Sequence, residues 1–263
     1  MYGIMIVLGI TACVFISFKL TKQRNINRYD FFIIMIFTSL FIATGASLLY
    51  ALTNIRFVII LMNNISSAKP KEIAIALKNI FGGFVFYGGF IGGYIGIITC
   101  TKISKNQKTK TKDILDIYAV LTPLFHTFGR IGCFFAGCCY GIESPIGFTA
   151  HNNHLIPYVN DVQRLPIQLI ESACNVIIFI ILLKLFYKPN LRHKLIYIYM
   201  LIYPAIRLIT ETFRDDTYRG FLFGLSTSQW ISILLISFAV ITLLKKKYHE
   251  KTNTKTPQTE RGV

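Results

Sequence analysis

Four ionisable side chains stand out inside otherwise apolar stretches: Arg130, Glu171, Arg207 and Glu211. A charge within a membrane span costs roughly 2.5–3.5 kcal/mol on insertion scales, so each is a functional candidate by default. Arg207, Glu211 and Arg214 are spaced i, i+4 and i+7, which places them on one face of a helix. Two arginines against one carboxylate leave a positive surplus that suits an anionic ligand; a salt-bridged packing stripe is the bland alternative. Arg130 offers a planar donor fork for a phosphate. His126 lies four residues earlier on the same helical face and is a candidate for proton transfer, against a packing histidine as the plain alternative.

Glycines crowd these groups. Gly129, Gly132, Gly137 and Gly141 punctuate the segment around Arg130, and Gly82-Gly83, Gly88-Gly89 and Gly92-Gly93 form three pairs in one apolar stretch. Such glycines either let helices approach closely or expose backbone N–H groups to an anion, and glycine content does not decide between the two. Cys133, Cys138 and Cys139 fall within seven residues. The spacing Cys133-x4-Cys138-Cys139, with His126 upstream, is a weak metal signal. The expectation is therefore packing by small polarisable side chains, with no metal and no other cofactor. A thiol of this group acting as a covalent nucleophile is the less favoured reading, since only His126 stands near enough in sequence to serve as its base.

The elements that carry these residues are long and apolar. Of 263 residues 53% are hydrophobic and 15% charged, where a soluble domain carries about a quarter charged. Apolar runs near 2–18, 31–52, 80–101, 113–136, 166–187, 194–213 and 226–244 approach or reach the roughly 17–25 residues of a membrane helix. The reading is an all-α polytopic membrane protein of seven transmembrane helices. Ile55 to Met62 is too short to span and reads as a surface helix.

The net charge of +16 follows the loops. Segments 19–30, 102–112, 184–194 and 245–263 hold 4, 5, 4 and 6 basic residues, against 4, 1 and 2 in segments 53–79, 137–165 and 214–225. Rich and poor loops alternate. Basic loops stay cytoplasmic, so the N-terminus is expected outside, on a retained first helix, and the C-terminus inside. The charge is then a topology signal and a grip on anionic lipid, not a nucleic-acid footprint. Residues 1–247 read as one transmembrane unit and 248–263 as a disordered cytoplasmic tail.

With these residues in place the chain resembles the prolipoprotein diacylglyceryl transferase family of the bacterial cytoplasmic (inner) membrane. Tyr2-Gly3-Ile4-Met5, the run from Gly82-Gly83 through Tyr87-Gly88-Gly89-Phe90-Ile91-Gly92, Gly129-Arg130-Ile131-Gly132, Leu165-Pro166-Ile167-Gln168-Leu169-Ile170-Glu171, and Arg207-x3-Glu211-x2-Arg214 followed by Ser228-Gln229 match its motifs in order. The resemblance covers most of the chain. It implies transfer of diacylglyceryl from phosphatidylglycerol to the lipobox cysteine of a prolipoprotein signal peptide, with glycerol 1-phosphate leaving and membrane lipid as surroundings. The chain departs from the family at several points. The family histidine before Gly-Gly is Tyr87, its signature asparagines are Cys133 and Ala136, its signature glutamate is Cys138, and the second-helix arginine is absent from Gly45-Ala46-Ser47-Leu48-Leu49.

The roles implied are these. Arg130, Arg207 and Arg214 clamp the phosphate, and Glu211 holds Arg207. Tyr2 and Tyr87 donate to headgroup oxygens, and either His126 or Tyr87 takes the thiol proton. Gly88, Gly89, Gly129, Gly132, Gly141, Gln168 and Glu171 belong to the substrate-binding set. The alternative is a lipid-binding or other lipid-modifying membrane protein that keeps the arginines without the proton-transfer groups.

Overall fold

The computed structural model describes residues 1–64, 69–81, 83–104, 110–151, 153, 159–215 and 221–255. Gly82 and residues 256–263 of the expected tail lie outside them. The chain runs α1 (Tyr2–Gln23), α2 (Arg28–Thr53), α3 (Ile55–Asn64), α4 (Pro70–Phe81), α5 (Phe86–Ile103), α6 (Thr111–Ala136), β1 (Glu143–Thr149), β2 (Gln163–Arg164), α7 (Ile167–Phe186), α8 (Leu195–Thr210), β3 (Phe221–Leu222), β4 (Leu225–Ser226) and α9 (Thr227–Lys255). The two short strand pairs are antiparallel hairpins.

Among the described residues, six helical segments are long and apolar enough to cross a membrane: Tyr2–Gln23, Arg28–Thr53, Thr111–Ala136, Ile167–Phe186, Leu195–Phe213 and Thr227–Tyr248. The stretch expected to span over 80–101 is divided. Ile80 and Phe81 end α4, and α5 begins at Phe86 with its apolar content diluted by glycine. Helix α4 is an addition to the sequence reading, which leaves 53–79 as a loop around one short helix. Its start is locally encoded: Pro70 occupies the first helical position, and Glu72 accepts the Lys69 N–H at 2.9 Å, the reach-back half of a capping box. The last helix also continues to Lys255, so the first part of the expected disordered tail is helical.

Helix α6 is the axis of the bundle. Ile114, Ile117, Ala119 and Val120 on it are fully covered, with α1, α7 and α8 packed around it and α9 against α8. Helices α2 and α5 approach closely. A Cβ on Gly45 would sit 2.4 Å from the Gly88 carbonyl oxygen, and one on Gly92 would sit 2.2 Å from that of Phe41. This is backbone-to-backbone packing through small residues, the membrane helix interface form. Large apolar side chains stay exposed on the outer faces, including Phe15, Ile36 and Leu234. Such a belt is costly in water and suits lipid.

A polar clasp closes one end of the bundle. Asp113 accepts both Nε and Nη2 of Arg192 at 2.8 Å. Asp116 accepts the backbone N–H of His193 at 2.6 Å and of Leu195 at 3.1 Å, so it caps the start of α8 from another helix. Arg24 lies 3.5 Å from Asp116, and Lys246 donates to the His193 carbonyl at 2.8 Å. Residues of three of the four basic segments thus meet at one end.

Candidate functional site

A second set of buried charges gathers at the opposite end. Helix α6 carries Arg130 near its C-terminus, α7 carries Glu171 in its first turns, and α8 carries Arg207 near its C-terminus. All three are buried. One carboxylate oxygen of Glu171 accepts from Arg207 Nη1 and, at 3.0 Å, from the Thr210 hydroxyl; the other pairs with Arg130 Nη2. Arg207 Nη2 reaches Glu211 at 2.6 Å, and the other Glu211 oxygen accepts the Ser226 hydroxyl at 2.8 Å. Arg214 Nη1 completes the chain 4.0 Å from Glu211. Three arginines against two glutamates leave one positive charge, with Glu171 as a central counter-ion.

The single-face helix over 207–214 is corrected. Helix α8 stops at Thr210, Glu211 to Phe213 make one tighter turn, and Arg214 is extended. Arg214 and Gly141 form an isolated antiparallel bridge. Gly141 fits there because an added Cβ would meet the Leu165 carbonyl oxygen at 2.5 Å. The groups still join one network because the turn swings Arg214 back towards Glu211.

The other expected site residues fall into three sets. His126 is buried, its ring stacked on Phe86 at 3.8 Å between centroids. The His126 ring and the Asn175 side chain are within hydrogen-bonding reach of each other, while Gln168 Oε1 and Arg130 Nε are buried without a hydrogen-bond partner among the described residues. Orphaned buried groups are rare, and a polar ligand here would satisfy them. Gln168 Nε2 donates to the Cys138 carbonyl at 2.7 Å, tying α7 to the segment after α6.

Tyr87 does not offer an uncommitted hydroxyl. It is buried, paired with the Ser232 hydroxyl of α9 at 2.6 Å and set against the Tyr203 ring. Gly88 and Gly89 face α2 rather than an open cradle: a Cβ on Gly88 would lie 2.2 Å from the Gly45 oxygen, and one on Gly89 would contact Ile42 and Ala46. Gly132 makes room for Tyr2, whose ring would be 2.8 Å from a Cβ there, whereas Gly129 faces open space. Thr210, Asn175, Ser226 and Ser232 escaped the sequence reading. Their only signal was polarity inside or beside apolar helices, which many packing residues share.

After Ala136 the chain turns sharply. Gly137 is left-handed (φ 68°), with its N–H on the Phe134 carbonyl and the Cys138 N–H on that of Cys133, the paired bonds of a Schellman cap. Cys139 is also left-handed (φ 56°), an unusual conformation for a residue with a side chain. The result brings the sulfurs of Cys133, Cys138 and Cys139 within 4.8 Å of one another, all half-buried. Hydrogen bonds from Cys133 and Cys138, then the charges of Arg214 and Arg130, hold the Cys139 thiol well below its usual range. Cys138 is pushed up in turn by donating within the cluster.

An apolar cleft of about 370 Å³ opens between α7 and α8 beside the arginines, lined by Leu165, Ile170, Cys174, Ile206, Ile209 and Phe213. Thr210, which bonds Glu171, also lines it. A charged network thus adjoins a hydrocarbon-lined groove, an arrangement suited to an anionic amphiphile.

Residues 1–245 match the family model for prolipoprotein diacylglyceryl transferase. The chain is 34% identical to a phosphatidylglycerol–prolipoprotein diacylglyceryl transferase of Clostridium tetani, over 91% of this chain and 90% of that protein. It is 32% identical to the second such enzyme of Clostridium perfringens, over 97% and 94% of the two chains. A Prochlorococcus marinus enzyme of the same description is 33% identical over 95% and 90%.

Proposed function

The chain belongs to the prolipoprotein diacylglyceryl transferase family, and on that premise we propose that it transfers diacylglyceryl from phosphatidylglycerol to the lipobox cysteine of a prolipoprotein signal peptide. The observation that carries this reading is the cluster of Arg130, Arg207 and Arg214 around Glu171 and Glu211, net positive and next to an apolar cleft. The cleft takes acyl chain, and the arginines take the phosphate.

The reaction breaks the ester bond between the glyceryl carbon and phosphate, and negative charge grows on the departing oxygen. Cations already held in place stabilise that charge without reorganising, which is the most effective form of electrostatic catalysis. Glu171 fixes Arg130 and Arg207 by pairing with both, and Glu211 sets Arg207 from the other side. Gln168 steadies the turn that follows Arg130. His126, stacked on Phe86 and within reach of the Asn175 side chain, lies beside this network and is the candidate proton acceptor within the helices.

In the membrane the same reading has seven crossings, N-terminus outside and C-terminus cytoplasmic, in a bacterial cytoplasmic membrane. The 18 residues of α5 make about 27 Å of helix, close to the hydrocarbon thickness. The polar clasp at Asp113 and Asp116 then faces the cytoplasm and the arginine network faces the outer leaflet. The test is complementation of a bacterial strain depleted of its own transferase, scored by lipidation of a reporter lipoprotein. Growth and reporter lipidation are expected; a well-expressed, membrane-inserted chain that lipidates nothing would sink the reading.

A further inference from the structure

We propose that Cys133, Cys138 and Cys139 form a three-thiolate site for a soft divalent cation of the zinc class, whose open fourth position receives and activates the acceptor thiol. This deepens the transferase reading and rests on it.

The three sulfurs already lie within 4.8 Å of one another. Zinc–sulfur bonds of 2.3 Å set tetrahedral sulfurs about 3.8 Å apart, so closure needs only about 1 Å of side-chain movement. No fourth His, Cys, Asp or Glu joins the group among the described residues. Three protein ligands with one vacant position are the pattern of reactive rather than structural zinc sites. The backbone is shaped for the cluster: the cap at Gly137 folds Cys138 and Cys139 back over Cys133, and Cys139 holds a left-handed conformation that its side chain disfavours. Such local strain concentrates at functional sites.

Charge favours the same assignment. Three thiolates on a divalent cation carry one negative charge, and the adjoining Arg–Glu network carries one positive. Arg130 lies one turn before Cys133, and Arg214 bridges to Gly141, two residues past Cys139. The three cysteines are half-buried rather than fully enclosed. The transfer also needs a thiolate nucleophile, while Tyr87 is committed to Ser232. A coordinated thiol is deprotonated outright.

The step balances without any redox change. The acceptor S–H binds at the vacant position and its proton leaves by way of water to His126, the candidate proton acceptor. The sulfur electron pair attacks the glyceryl carbon bearing the phosphate ester, forming an S–C bond. The C–O bond to phosphate breaks, and its electron pair leaves on glycerol phosphate facing Arg130 and Arg207. The thioether product is uncharged and a poorer ligand, so it departs.

The test uses the full chain, reduced and purified anaerobically in lipid nanodiscs, with Cd(II) as an optical probe. Cd(II) titration is expected to give a thiolate-to-metal charge-transfer band saturating at one ion per chain. Cys133→Ser, Cys138→Ser and Cys139→Ser should each lose most of it, while Cys100→Ser and Cys174→Ser keep it. A lipobox peptide with its cysteine should deepen the band, and the same peptide with serine should not. Chelated protein should lose at least tenfold in transfer from phosphatidylglycerol and regain it with Zn(II). Absence of a stoichiometric band, or a band that survives all three cluster substitutions, overturns the site. Full transfer by chelated protein overturns the activating role. A peptide-dependent band without any transfer upholds the thiol-binding metal site and sinks the transferase reading alone.

Discussion

Glu171 holds Arg207 through a carboxylate oxygen that also accepts the Thr210 hydroxyl, and it does so from a different helix. With its other oxygen on Arg130, it joins α6, α7 and α8 at one buried point. Removing one partner of a buried ion pair leaves an uncompensated charge and costs about 3–5 kcal/mol.

Glu171→Gln is therefore expected to destabilise the protein by an amount of that order and to disorder both arginines. The neutral amide still accepts a hydrogen bond but no longer balances charge. Thermal unfolding in detergent should show a lower midpoint, and transfer should fall with it. An unchanged midpoint would remove Glu171 from its central place.

Arg130→Ala and Arg207→Ala should each lower transfer of labelled diacylglyceryl by about 10²–10³-fold, the loss typical of one fixed donor at a developing oxyanion. Arg130→Lys is not expected to rescue, because an ammonium lacks the planar fork that meets a carboxylate and a phosphate together. Membrane insertion, followed by protease protection of the tail, should be unchanged. Full activity in any of the three would end the clamp.

Much of this network was legible in the sequence because ionisable side chains in apolar runs are expensive and so conspicuous. Arg130, Glu171, Arg207 and Glu211 could be found that way, although pairing Glu171 with two arginines required the fold. The glycine pairs could not be assigned from sequence, since close packing and anion cradling ask for the same residue. The contact between Gly45 and Gly88 decides for packing. The gathering of the three cysteines escaped because it depends on the cap at Gly137 reversing the chain, which linear spacing does not show. The break before α5 was hidden by continuous apolar composition across residues 80–101.

Two glycine substitutions should separate packing from site. Gly88→Ala places a Cβ 2.2 Å from the Gly45 oxygen on facing backbones, and overpacking of this kind costs about 1–3 kcal/mol. Gly129→Ala meets nothing within 4 Å and should leave stability unchanged. Thermal midpoints of the two variants, measured side by side, check the contrast; equal destabilisation would mean that the α2–α5 contact is not the tight one.

At the clasp, His193 lies outside the spans with its side chain one-third exposed. Burial lowers its pKa, Asp113 opposes, and Arg192 and Lys112 add to the lowering, for a net downward shift. A depressed folded pKa contributes stability above the unfolded value of about 6.5 and loses it as pH falls through the folded value. The thermal midpoint should therefore drop as pH goes from about 7.5 to about 5.5, and His193→Gln should flatten that part of the profile. Arg24, Asp116 and Lys246 face the same clasp, so the comparison with His193→Gln, not the wild-type slope alone, isolates the histidine's share. A profile that His193→Gln leaves unaltered would assign the dependence elsewhere.

The apolar cleft makes the last prediction. Cys174 and Ile209 line it without joining the charged network. Cys174→Phe and Ile209→Trp should fill part of the groove and raise the apparent KM for phosphatidylglycerol, with a smaller effect on kcat, because the lost contact is made equally in ground and transition states. A short-chain phosphatidylglycerol should be less sensitive to both changes than a long-chain one. If the substitutions instead lowered kcat alone at every chain length, the groove would not be holding acyl chain.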